Sequence, residues 1–168
     1  MAVYERREGC IKSLDFTDGA SVNFEPASAF MGDNEDYLDV VAALEKLCPD
    51  AIPDYVRLIF MDTLCANPDR HTNNFGLLRD TVTGKLIGLA PNYDNNMALI
   101  SRGYPTKATS VDLLIVLFNE LLEEHPEHRD YLPVLTEEAV RGVIAKLNMK
   151  VKTQTIVDYV MGRYALIK

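Results

Sequence analysis

Asn67-Pro68-Asp69-Arg70-His71-Thr72-Asn73-Asn74-Phe75-Gly76, followed across a turn by Pro91-Asn92-Tyr93-Asp94-Asn95-Asn96, is the stretch that decides how this chain is read. A carboxylate at Asp69, an amide five positions on at Asn74, and a second carboxylate at Asp94 form the donor set of a phosphoryl-transfer site. One acid orients the attacking hydroxyl, and an Asn and an Asp supply hard oxygens to magnesium on ATP. The same residue types also build ordinary turns, so composition alone would leave two loops and nothing more.

Context separates the two readings. Ahead of the first cluster, Ile52, Val56, Ile59, Phe60, Thr63 and Leu64 recur at helical spacing. Behind it, an apolar run from Phe75 to Leu78 meets the turn Asp80-Thr81-Val82-Thr83-Gly84-Lys85. A second run, Leu86 to Ala90, then delivers Asp94. Helix, polar loop, hairpin and acidic loop follow one another as in the carboxyl-terminal lobe of a protein kinase. The expected fold is therefore mostly α with a small β-hairpin, a protein-kinase-like large (C-terminal) lobe.

Residues 62–99 also resemble the catalytic core of the HipA-like serine/threonine kinases, which pair an Asn-x-Asp-Arg-His-x-x-Asn loop with a later Tyr/Phe-Asp. The resemblance implies Asp69 as catalytic base or hydroxyl-orienting residue, Asn74 and Asp94 as Mg2+ ligands beside ATP, and His71 near the phosphates. It further implies a toxin–antitoxin or regulatory setting, with a small-lobe or antitoxin-like protein as partner. This chain departs from the pattern at Asn73, where many HipA-like proteins carry Lys. Asn67 stands where eukaryotic kinases place His, and Asp94 is followed by Asn95 rather than Phe-Gly. Asp-Arg-His-x-x-Asn is shared with phosphatidylinositol kinases, so a lipid or small-molecule kinase is a further reading. A non-catalytic, partner-binding module is another.

Arg70 is expected to brace the catalytic loop by pairing with a carboxylate, since its fork suits bidentate contact. His71 is balanced between a structural hydrogen bond and a role at the phosphates. The apparatus of an ATP-binding amino-terminal lobe is not recognisable: no Gly-rich loop, no strand Lys in a Val-Ala-x-Lys context, no Walker signature. The chain reads as a kinase lobe silent without its small lobe.

The remaining sequence frames this site. Residues 1–33 carry short strands or extended segments, a lead-in from a lobe junction, and residues 34–168 form the lobe proper. A helix is expected from Asn34 as cap to Leu47, with Tyr37, Val40, Val41, Leu44 and Leu47 on its stripe. The next starts at Asp50 and Pro53 and ends near Ala66. Thr109 to Asp112 reads as a capping box for a helix through Glu123, so apolar all round that it belongs at the lobe centre. Thr136 opens a helix to Leu147 with Val140, Val143, Ile144 and Leu147 inward. The last, 153–165, packs Val157, Val160, Met161 and Tyr164.

At 168 residues and 48% hydrophobic composition, the chain has enough apolar material for its own core. A net charge of -8 argues against a nucleic-acid surface. Lys146, Lys150 and Lys152 read as a solvated helix end. Three cysteines, Cys10, Cys48 and Cys65, suggest neither a disulfide framework nor a zinc site. His125 and His128 could join Asp130 around a metal, but a Pro-broken, charge-rich loop is the plainer reading. No apolar run reaches membrane-spanning length and no secretion signal opens the sequence, which points to the cytoplasm.

Overall fold

A computed structural model describes the backbone of residues 4–7 and 10–13 and the structure of residues 15–104, 111–146 and 150–168. Contacts divide the chain into two compact units, Met1–Tyr55 with Asp69–Asp94, and Val56–Pro68 with Asn95–Lys168.

The first unit contains the sheet. Strands β1 (Tyr4–Arg7) and β2 (Cys10–Ser13) form an antiparallel pair of their own. β3 (Val22–Pro26), β4 (Gly76–Asp80) and β5 (Leu86–Leu89) form a three-stranded antiparallel sheet with β4 in the centre. The expected hairpin is β4–β5, and β3 enlarges it to a sheet. In its register Phe24 faces Leu78 and Pro26 faces Gly76. Pro26 has no N–H for the ladder and is tolerated at the end of an outer strand. Gly76 has no alternative, because a β-carbon there would overlap the carbonyl oxygen of Glu25 and stand 2.8 Å from Cα of Pro26. The β4–β5 turn is tied by Asp80, whose Oδ1 accepts from the N–H groups of Val82 and Thr83 and from the Thr83 hydroxyl. Gly84, at φ 70°, supplies the left-handed residue the turn needs.

After β3, α1 (Ser28–Met31) makes a single turn. α2 (Tyr37–Leu47) buries Tyr37, Val40, Val41 and Leu44, as the stripe predicts, but Leu47 is exposed. Its cap is Asp36 rather than Asn34. Asp36 Oδ1 accepts from the N–H groups of Leu38 and Asp39, while Asn34 Oδ1 accepts from the N–H of Asp36 one step earlier. A 3-10 turn over Pro49–Ala51 leads into α3 (Ile52–Cys65), which runs from the first unit into the second. All six residues of its expected stripe are buried.

The second unit is helical. α4 (Leu113–Glu124) is capped by Asp112, which accepts from the Ile115 N–H. The expected box placed Asp112 inside the helix; instead it precedes it, and Thr109 lies outside the described residues. Ile115, Phe118, Leu121 and Leu122 are buried, whereas Val111, Leu113 and Val116 are exposed. The helix therefore lies at the surface of its unit on one side, not at the centre with every side covered. A 3-10 segment, Pro126–Tyr131, follows. α5 (Glu137–Lys146) is capped by the Thr136 hydroxyl, which accepts from Ala139, and buries Val140 and Ile144 but exposes Val143. Leu147 lies outside the described residues. α6 (Thr153–Tyr164) buries Ile156, Val157 and Val160, with Met161 and Tyr164 half-buried. The Phe60 ring centroid lies 5.8 Å from that of Phe118 and 6.2 Å from that of Tyr164, the aromatic centre of this unit. Among the described residues no helix is long and apolar enough to cross a membrane.

Candidate functional site

α3 ends where the polar loop begins, and the end is built by hydrogen bonds. Asn67 is fully buried; its N–H reaches the carbonyl of Asp62 at 2.9 Å and its Nδ2 reaches Asp62 Oδ1 at 2.7 Å. Ala66 takes a left-handed φ of 49°, which stops the helix and turns the chain toward Asp69.

From Asp69 onward the loop folds on itself. Asn74 is buried; its N–H donates to the carbonyl of His71 at 2.8 Å and its Nδ2 to the carbonyl of Asp69 at 2.8 Å. With Nδ2 committed, Oδ1 is left as the acceptor, and it carries no hydrogen bond among the described residues. The five-residue step is thus a closed loop whose two functional residues are bonded to one another. His71 Nδ1 accepts from the N–H of Asn73 at 3.2 Å, so in the neutral ring the proton sits on Nε2.

Neighbouring segments hold this loop. Thr72 donates its hydroxyl to the carbonyl of Gly32 at 2.7 Å, and the Ser28 N–H reaches the carbonyl of Thr72 at 3.0 Å. Asn73, where many relatives of the resembled family carry Lys, accepts from the Ser28 hydroxyl at 2.7 Å. Its side chain fastens α1 to the loop, a task Lys could not perform as an acceptor.

Arg70 joins the two halves of the site. It is 7% exposed, and its Nη1 donates to the carbonyl of Asn74 at 2.7 Å and to the carbonyl of Tyr93 at 2.8 Å. Nη2 donates to Asn92 Oδ1 at 3.1 Å. Through these carbonyl and amide oxygens the residue braces the loop. Their effect is to draw the backbone of Asn74 and of Tyr93 to one nitrogen, placing the segment of Asp94 beside that of Asn74. Asp94 itself has φ 53°, an uncommon conformation for a residue with a β-carbon. Non-glycine residues held there gather at functional sites. Asp69 and Asp94 are half-buried, and among the described residues neither carboxylate has a hydrogen-bond or ion-pair partner within the chain.

Two unpaired carboxylates and a free amide oxygen on adjoining segments are chemically suited to a hard cation. The sequence names these three residues but not Tyr93, Asn92 and Ser28 as groups bonded to their segments. Only the repeated Asn and Tyr flanking Asp94 hinted at that support.

The second histidine cluster differs from expectation. Glu127, not Asp130, stands with His125 and His128, one ligand atom from each lying within 4.8 Å of the others. The two rings stack nearly parallel, 4.8 Å between centroids at 8°, and His128 also packs on Tyr131. An ion shared by both would lie well out of each ring plane, away from the lone pairs. The cluster is a packed turn. Lys152 lies 5.0 Å from the ring centre of Tyr104, and Lys146 closes the last turn of α5.

The family model of the HipA-like C-terminal domain matches residues 4–155. No curated protein matches the chain. Among solved structures, the crystal structure of a Helicobacter pylori proinflammatory kinase, CtkA, superposes on 99% of this chain and 76% of its own. The TM-score is 0.64 and the identity 15%, a likeness of fold.

Proposed function

The chain belongs to the HipA-like C-terminal domain family, and from that premise we propose that it is the catalytic-loop lobe of a serine/threonine kinase. The observation that supports this most directly is the shared grip of Arg70 on the carbonyls of Asn74 and Tyr93, with Asn74 Nδ2 bonded to the carbonyl of Asp69. Asp69 orients the acceptor hydroxyl and takes its proton. Asn74 and Asp94 would hold Mg2+, which would supply positive charge against that developing on the phosphates. His71, with Nε2–H available, donates toward a phosphate oxygen. The remaining phosphate clamp is supplied by a small lobe, and without it the chain transfers little or no phosphate.

The test uses Mn2+ as a paramagnetic substitute for Mg2+, titrated into the purified chain. Wild type binds one ion saturably, and Asn74→Ala and Asp94→Asn each weaken binding at least roughly ten-fold while remaining folded. Equal affinity in all three overturns the assignment.

A second reading, a module that works by binding an antitoxin-like or small-lobe protein, draws on the exposed Val111, Leu113 and Val116 near the start of α4. It is compatible with the first, since a lobe completed by a partner needs a surface to receive it.

A further inference from the structure

We infer that Tyr93 is a positioning residue for the proposed cation pair, acting through the backbone on either side of it; the inference rests on the reading of Asn74 and Asp94 as metal ligands. Tyr93 is held by three separate handles. Its hydroxyl donates to the carbonyl of Asn73 at 2.7 Å. Its own carbonyl accepts from Arg70 Nη1 at 2.8 Å. Its ring stacks on Phe16, 6.3 Å between centroids at 21°, and meets the edge of Phe24 at 5.7 Å and 84°.

Packing alone explains the ring, because Phe16 and Phe24 also meet each other at 5.9 Å and the three form one cluster. It does not explain the hydroxyl. That group reaches the residue immediately before Asn74 from the residue immediately before Asp94. The two proposed ligands are thereby tied by one side chain at a separation of a single residue on each strand of the loop. Arg70 makes the complementary tie, reaching Asn74 and Tyr93 from the inside. The two residues act as a cross-brace, one through a phenol and one through a guanidinium.

The brace has strain to hold against. Asp94, at φ 53°, sits in a region that costs about 1 kcal/mol or more for a residue with a side chain, and it persists only where the surroundings over-determine it. With Tyr93 fixed at ring, hydroxyl and carbonyl, the backbone entering Asp94 has little freedom to relax into an ordinary conformation. Groups that orient metal ligands typically alter affinity by roughly 10–100-fold when removed.

Tyr93→Phe separates these roles, because it keeps the aromatic cluster and deletes only the bond to Asn73. Mn2+ titration of the folded protein and a thermal melt without metal are the two measurements. The expected result is a dissociation constant raised about ten-fold with the metal-free melting temperature nearly unchanged. Tyr93→Leu, which also empties the ring position, lowers the melting temperature as well, and its affinity is no better than that of Tyr93→Phe. If wild type and Tyr93→Phe bind Mn2+ equally while Asp94→Asn does not bind, the positioning role is overturned and the metal site stands. If wild type itself takes up no Mn2+, the site reading and the positioning role fall together.

Discussion

Arg163 grips Asp112 with two hydrogen bonds, Nη1 to Oδ2 at 2.7 Å and Nη2 to Oδ1 at 3.0 Å, while its Nε donates to the carbonyl of Thr63. One guanidinium, 2% exposed, thus joins α6, the cap of α4 and the last turns of α3 within the helical unit. Burial pulls the arginine pKa down, and the bonds and charge of Asp112 overcome it and hold it above the ordinary value. For Asp112, burial pushes upward, and Arg163 with the Ile115 and Leu114 N–H groups brings the net shift below the ordinary carboxylate value of 3.8.

The pair therefore makes a prediction with a definite sign. A carboxylate whose folded pKa is depressed contributes stability above its unfolded pKa and loses it as pH falls through the folded value. Asp112→Ala should cost about 1–3 kcal/mol at neutral pH, less than for a fully buried pair because Asp112 is 42% exposed. The gap between wild type and Asp112→Ala in urea melts should narrow as pH drops below about 4. A gap that is flat from neutrality to strong acid would show that the ion pair contributes nothing.

Gly76 carries a second prediction. Overlap of an added β-carbon with Glu25 would force β3 away from β4, the first strand of the hairpin that leads to Asp94. Gly76→Ala should destabilise by about 1–3 kcal/mol, the range for overpacking at a close-packed site. The control is Gly142→Ala in α5, where a β-carbon meets nothing within 4 Å and helix propensity favours the change. Equal melting temperatures for the two variants would contradict the close approach.

Cys65 is pushed up to about 11 by burial, with the charge of Asp62 raising it further. Reactivity follows the thiolate, so an alkylating reagent at pH 8 should leave Cys65 unmodified in the native protein and label it in denaturant. Peptide mapping by mass spectrometry reads it out separately from Cys10 and Cys48. Rapid native labelling at Cys65 would contradict the raised thiol.

The contrast between α3 and α4 shows what the sequence could and could not disclose. In α3 the apolar residues occupy one stripe, so periodicity alone named the buried face. In α4 apolar residues surround the helix, and only the packing of the unit decides that Val111, Leu113 and Val116 stay outside. The cap of α2 was ambiguous for a local reason: Asn34 and Asp36 are both capping residues, and two positions separate them. Residues 1–33 read as short strands or extended segments, but the pairing of β3 was not legible because its partner lies some fifty residues away in β4. A candidate donor set could be named from the sequence because the proposed chemistry requires particular side chains. Of its supports, Arg70 is legible as a brace, whereas the Tyr93 tie is not, because it is made to a backbone carbonyl, which every residue possesses.

Asp69 and Asp94 should fail differently, and that difference is the sharpest test of the roles proposed for them. Asp69 touches Asn74 only through its backbone carbonyl, so Asp69→Asn leaves that hydrogen bond and the loop intact. Removing a positioned base should lower phosphoryl transfer by roughly 10²–10⁴-fold, measured on the chain supplied with the small lobe proposed to complete it. Mn2+ affinity of the chain should change little. Asp94→Asn should lose both metal and transfer while keeping its fold, since Asn tolerates the left-handed conformation at φ 53° as well as Asp does. Asp94→Ala adds a backbone penalty of about 1 kcal/mol that the melting temperature would register. If Asp69→Asn abolished metal binding while Asp94→Asn left it intact, the two carboxylates would have to exchange roles, and the order of the site along the chain would be reversed.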